Sequence, residues 1–409
     1  MYVRLFLPLL AVCVFACQSF SSSDSSKVKV GAEVLLEEHL DELEGKRVGL
    51  VMNPTARVEG AHMLDTLLAS GVKVTALFAA EHGFRGDAGA GETIENGVDQ
   101  ATGLPVFSLY GETRKPTSEM LSKVDLLLFD MQDVGARFYT YNVTLGNVIE
   151  AAAAEDVPVW VLDRPNPAGG NYISGWMMQD EHRSFVGAYP IPMVHGMTLG
   201  ELARMMIGEH WIANADSADL RVLPMQGWKR SMKWPATGLE WIPPSPNLPS
   251  FRHAYLYLGT VLFEGADISE GRGTPDPFMK VGAPGTILTT SHIAPLRRSF
   301  QGVNIERISF RPRSIPGKAP HPDFEGEQCR GIGLQITNLD LVEPVRLGVQ
   351  LLATMLDATP EAKLSGFVEK LSGIDKSKLL QQLQDGSYVE EWQQTAERFS
   401  KKRQEYLLY

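Results

Sequence analysis

From Leu77 to Gly86 the chain reads Leu-Phe-Ala-Ala-Glu-His-Gly-Phe-Arg-Gly, an apolar run that stops abruptly at an acid and a histidine. Val72 to Ala79 has the character of a buried strand. Glu81 and His82 therefore fall just past a strand end, and Gly83, Gly86, Gly89 and Gly91 give the loop that follows its backbone freedom. A carboxyl group in that position is a candidate proton donor, because partial burial raises a carboxyl pKa toward neutrality. The competing reading is a solvated loop carboxylate or a helix cap. A second dense cluster, Phe263 to Thr274, carries Glu264, Glu270 and Arg272 between glycines at 265, 271 and 273. Turned toward the first cluster, these residues would close a binding site between two domains. As a plain surface turn they would amount to a weak internal ion pair.

Other chemistries lack their motifs. The glycines do not have dinucleotide spacing between a strand and a helix, and there is no phosphate loop ending in Gly-Lys-Ser/Thr. The nine histidines nowhere form His-Glu-x-x-His and there is no Cys-x-x-Cys, so neither a metal nor another cofactor is expected. A Gly-x-Ser-x-Gly elbow is also missing. With 49 acidic against 38 basic residues and no Lys/Arg stripe, the chain is not expected to bind nucleic acid. Carboxylates, arginines, asparagines and aromatics at strand ends suit a substrate rich in hydroxyls, and carbohydrate is the natural candidate. Glycoside hydrolysis generally needs one carboxyl group to protonate the leaving oxygen and a second group to assist from the other face of the sugar.

The elements that would position these groups alternate. Strands are expected at Arg47 to Met52, Val72 to Ala79, Pro105 to Leu109, Val124 to Met131 and Val157 to Leu162, and helices at Ala32 to Leu43, His62 to Ala69, Ser118 to Lys123 and Leu145 to Glu155. Strands that read as continuous apolar runs are buried on both faces, and alternation with helices implies a parallel sheet. The expected fold is α/β: a Rossmann-like, doubly wound, mainly parallel sheet over residues 32–253, then a smaller α/β domain over 254–409, divided after the extended stretch Pro243 to Pro249. Parallel strands put their carboxyl ends on one edge, which is where such sheets bind ligands. Asn53, Glu81, His82, Asp130, Asp133, Arg137, Asp163 and Asn166 should therefore converge there. Phe138, Tyr139, Tyr141, Tyr172 and Trp176 are available to stack on sugar faces or to pack as core. Asp163-Arg164-Pro165-Asn166-Pro167 also reads as a structural turn.

At the N-terminus, Arg4 followed by apolar residues to Ala16 has the shape of a signal peptide over 1–16, too short to span a bilayer as a mature helix. Val14-Phe15-Ala16-Cys17 resembles a lipobox, which makes Cys17 a candidate for lipidation, with a Ser-rich tether over 17–31; the competing reading is a plain signal peptide cut nearby. Cys329 is then the sole remaining cysteine, so an internal disulfide is not available.

Five stretches resemble the signature blocks of the NamZ family of bacterial exo-β-N-acetylmuramidases. They are Glu81 to Asp87, Asp130 to Tyr141, Leu162 to Pro167, Pro244 to Pro249 and Ser269 to Thr274, with Ala80 standing where many members have proline. The resemblance implies removal of a terminal β-1,4-linked N-acetylmuramic acid from the non-reducing end of peptidoglycan fragments, in a cleft between the two domains. The membrane would be touched only through the lipid anchor, on the periplasmic side. It also implies that the catalytic glutamate is Glu81. For the second group, Glu264 and Glu270 come first, then Asp130, with the substrate's own acetamido group as an alternative. The lactyl carboxylate of muramic acid calls for a cation, for which Arg137, Arg164 and Arg272 are the candidates. The rival reading is a non-catalytic lipoprotein that binds peptidoglycan in the same cleft.

Overall fold

The computed structural model describes residues 27–85 and 95–409. Cys17, the signal sequence, most of the serine tether and Gly86, Gly89 and Gly91 lie outside them. The first half is built on a seven-stranded sheet: β1 (Val48–Met52), β2 (Val74–Ala79), β3 (Gly97–Val98), β4 (Pro105–Ser108), β5 (Leu126–Asp130), β6 (Val159–Leu162) and β7 (Leu220–Leu223). They lie side by side as β7-β6-β5-β1-β2-β4-β3, all parallel except β3, which runs antiparallel on β4. Without β3, the parallel strands numbered by chain position read 6-5-4-1-2-3 across the sheet, the doubly wound order.

Side chains alternate between the faces of this sheet, and each face has its own core. Val48, Leu50, Met52, Val74, Leu77 and Leu128 pack beneath α1 (Gly31–Glu38) and α2 (Met63–Ala69). Val51, Ala76, Phe78, Leu127, Phe129 and Val161 face the other way, toward α3 (Ser118–Leu121), α4 (Tyr141–Ala154) and α5 (Leu199–Gly208). The helix α4 starts at Tyr141, four residues earlier than its alanine-rich part suggests, and that early start matters for the site. The register sets Met52, Ala79, Ser108 and Asp130 in one row at the carboxyl edge. The loops that follow these residues carry most of the polar candidates.

The second half begins with α6 (Phe251–Thr260), which starts just ahead of the expected boundary. It continues through β8 (Lys280–Ala283), α7 (Thr290–Ser299), β9 (Val303–Phe310), β10 (Cys329–Ile336), α8 (Pro344–Ala358), α9 (Phe367–Ser372), α10 (Lys376–Asp385) and α11 (Tyr388–Lys402). Its three strands are antiparallel, in the order β8-β10-β9. Helices α6 and α8 cross at Gly259 and Gly348, where a Cβ on Gly259 would stand 2.0 Å from the Pro344 carbonyl oxygen, so only glycine permits that approach.

The two halves share one apolar core that runs from the α4 face of the large sheet through α6 and α8 to the small sheet. α11 returns to pack on the hairpin formed by Ser174–Met177 and Pro192–Val194. There Trp176 Nε1 donates to Gln382 at 2.6 Å.

Candidate active site

At the end of β2 the chain turns back sharply. The Gly83 amide donates to the Ala80 carbonyl, and His82 and Gly83 both adopt left-handed φ, +73° and +81°. A left-handed φ is uncommon for histidine and stores strain that the surrounding packing must hold. The turn presents Glu81 to the first residues of α4. There Thr140 Oγ1 donates to Glu81 Oε2 at 2.8 Å, while the Tyr141 hydroxyl, 2.8 Å from the Pro244 carbonyl, lies 3.4 Å from the Glu81 carbonyl. The Tyr110 phenol, just past the end of β4, bonds the same carboxyl group; burial and that negative neighbour push its pKa up. One acid is thus oriented by a hydroxyl from a helix start and a phenol from the adjacent strand end.

Glu81 lines a cavity of about 590 Å³ whose lining comes from both halves of the chain. That volume is within the range of small-molecule sites. Phe138, Tyr139, Tyr257 and Phe278 form an aromatic wall, with rings edge to face at 5.4 Å for Phe138–Tyr257 and 4.8 Å for Tyr257–Phe278. Glu264 and Arg272 line the same cavity. The Arg272 guanidinium pairs with Glu264, reaches Glu270 at 3.0 Å and lies 5.0 Å over the Phe278 ring. Burial opposes the charge on Arg272, yet Glu264 and Glu270 hold its pKa above the ordinary arginine value. Glu270 lies behind Arg272, and burial pushes its carboxyl up to about 7, against the pull of that arginine.

The expected convergence is partial. Glu81, His82, Tyr139, Glu264 and Arg272 line the cavity, and Glu270 backs it. The others spend their polar atoms holding loops together. Asp130 is fully buried in an ion pair with Arg164, whose Nη2 lies 2.9 Å from Oδ2. Arg164 opens instead on a separate depression beside Arg57 and Trp241. Asp163 accepts from Thr198 Oγ1, the Gly200 amide and the Tyr409 hydroxyl at 2.7–2.9 Å, and so fixes the start of α5. Asn166 Oδ1 accepts from the Ala168 amide and its Nδ2 donates to the Met197 carbonyl. Arg137 is wholly buried, donating through Nη1 to the Trp176 and Ile191 carbonyls and through Nη2 to the Leu371 carbonyl. Burial without a carboxylate partner lowers its pKa to about 9. The expectation that Arg137 and Arg164 meet a substrate carboxylate is corrected on these grounds: neither guanidinium faces the cavity.

Tyr110, Thr140, Tyr257, Lys318 and His321 line the cavity without having been singled out from the sequence. Tyr110 and Thr140 could have been found from position, one after a strand and one at a helix start. Tyr257 sits mid-helix and Lys318 in a long loop, where no local pattern marks them. Among the described residues no group of His, Cys, Asp or Glu side chains is arranged to hold a metal ion.

A doubly wound sheet with a strand-end acid on an aromatic-walled cavity, and a second carboxylate on the same cavity from the other half of the chain, supplies the groups that glycoside hydrolysis uses. The comparisons narrow the class. Residues 48–252 match the N-terminal domain of exo-β-N-acetylmuramidase NamZ, and residues 255–409 match its C-terminal domain. The chain is 42% identical over 393 residues to the peptidoglycan β-N-acetylmuramidase NamZ of Bacillus subtilis (strain 168), covering 94% of this chain and 92% of that one. Crystal structures of two DUF1343 family proteins from Bacteroides fragilis NCTC 9343 superpose with TM-scores of 0.83 and 0.77, at 33% and 34% identity, over 94% of this chain and 99% of each. The chain belongs to the exo-β-N-acetylmuramidase NamZ family and is a glycoside hydrolase.

Proposed function

We propose that this protein releases terminal β-1,4-linked N-acetylmuramic acid from the non-reducing end of peptidoglycan fragments, with Glu81 as general acid. One arrangement above all supports the reading: Glu81 and Glu264 line the same cavity, and each is contributed by a different half of the chain. In the first step Glu81 gives its proton to the glycosidic oxygen as the bond to the anomeric carbon breaks. Glu264, ion-paired through Arg272, supports the positive charge that develops on the sugar. Water then adds its hydroxyl to the anomeric carbon, and its proton is left with a carboxylate of the enzyme. Tyr110 and Thr140 keep the Glu81 carboxyl oriented throughout. Turnover of a chromogenic β-N-acetylmuramide by the wild type beside Glu81→Gln tests the assignment, since the amide has nearly the same shape and no proton to give. Full-speed hydrolysis by the variant would remove Glu81 from the role.

The same reading places the enzyme outside the cytoplasm, on a lipidated Cys17. The support is the sequence itself: Arg4, an apolar stretch to Ala16, Cys17 and a serine-rich tether. Wild-type protein expressed in a bacterial host should partition into detergent, and Cys17→Ser into the aqueous phase. Equal partitioning would dismiss the anchor.

A further inference from the structure

N-acetylmuramic acid differs from N-acetylglucosamine by a lactyl ether that ends in a carboxylate, so a site that distinguishes them needs a cation with charge to spare. Arg272 and Lys318 are the arginine and lysine side chains that line the cavity. Arg272 has none to spare. Two carboxylates flank its single guanidinium and the Phe278 ring covers one side. A substrate carboxylate brought to it would have to compete with Glu264, which already holds the guanidinium.

Lys318 differs in each respect. Among the described residues its ammonium makes no hydrogen bond or ion pair, yet its backbone is fixed. Ile315 and Ala319 exchange two hydrogen bonds of 2.9 Å, the Lys318 amide donates to the Ile315 carbonyl, and Gly317 supplies the left-handed φ of +70° that the turn requires. The loop is also pinned from both sides of the cleft. Buried Asn247, from the proline-rich connection, donates through Nδ2 to the Lys318 carbonyl at 2.7 Å. The Arg313 amide donates to the Gly273 carbonyl, beside Arg272, at 2.9 Å. The result is an ammonium without a partner among the described residues, carried at the cavity lining on a backbone held from both sides.

Resting on the muramidase reading above, we propose that Lys318 is the specificity determinant that pairs with the lactyl carboxylate, while Arg272 serves to hold Glu264. A charge-assisted hydrogen bond of ordinary strength corresponds to roughly 10- to 100-fold in affinity. The experiment compares wild type, Lys318→Met and Lys318→Arg on two chromogenic β-N-acetylmuramides, one with the free lactyl acid and one with that acid as its methylamide. Each free sugar is also measured as a competitive inhibitor, so that the amide is compared even if it is not cleaved. Lys318→Met should raise KM and the inhibition constant for the acid about 10- to 100-fold with kcat little changed. The amide should be unaffected, and Lys318→Arg should recover most of the loss. The proposal is overturned if Lys318→Met leaves the acid unaltered or weakens acid and amide equally. If the wild type does not cleave the acid at all, the muramidase reading itself falls, which is a different outcome from a working enzyme indifferent to Lys318.

Discussion

The ends of β2 and β5 sit two strands apart on the same edge of the same sheet, and each carries an acid, yet they have opposite fates. Asp130, the last residue of β5, meets Arg164 from the next strand's loop and is sealed in a buried ion pair. Glu81, just beyond β2, meets neutral hydroxyls from Thr140 and Tyr110 and keeps a face on the cavity. Parallel pairing delivers both groups to the edge, and what packs opposite decides which keeps a face on the cavity. The cation at Asp130 makes a structural clamp, while the hydroxyls at Glu81 orient its carboxyl.

Substitutions at the two ends should therefore fail in different ways. The largest effect is expected at Glu81: Glu81→Gln should lower kcat by about 10²- to 10⁴-fold, the usual contribution of a general acid, with the melting temperature nearly unchanged. At the other end, Arg164→Met leaves the Asp130 carboxylate buried and unpaired. It should cost about 3–5 kcal/mol of stability, read by chemical denaturation, while the fraction that remains folded keeps its kcat. An Arg164→Met enzyme that is stable but inactive would erase the contrast.

A smaller effect sharpens it. Asp133 is buried, its Oδ2 accepts from the Gly135 amide at 2.7 Å, and burial pushes its carboxyl up to about 7. The folded state then holds a proton that the unfolded chain releases near pH 4. Its contribution to stability is complete below that value, declines as the pH rises, and is lost above about 7. Asp133→Asn should remove a slope of at most about 1.4 kcal/mol per pH unit between pH 4 and 7. Denaturation midpoints across that window would show the wild type losing ground to the variant as the pH rises, and parallel curves would refute it.

These contrasts mark what could be read in advance. β1, β2, β5 and β6 were legible because strands buried on both faces are written as unbroken apolar runs. β7 was not: it is an edge strand, half-buried and interrupted by Arg221. Nor was α7, which is short and polar and holds Pro295 within it. The glutamates at 81 and 264 could be nominated by type and position. The difference between a clamp and a site could not, because the Arg164, Thr140 and Tyr110 side chains that decide it come from separate strand ends and a helix start.

Arg137 has a consequence for how such a protein can change over time. Its single positive charge lies in the interior and is quenched by backbone oxygens from both halves of the chain, Trp176 and Ile191 on one side and Leu371 on the other. A second half without the Leu371 carbonyl would cost the buried guanidinium one of its three acceptors. The seam is therefore fitted to this pair of halves, and a foreign second lobe would have to supply a carbonyl at the same place.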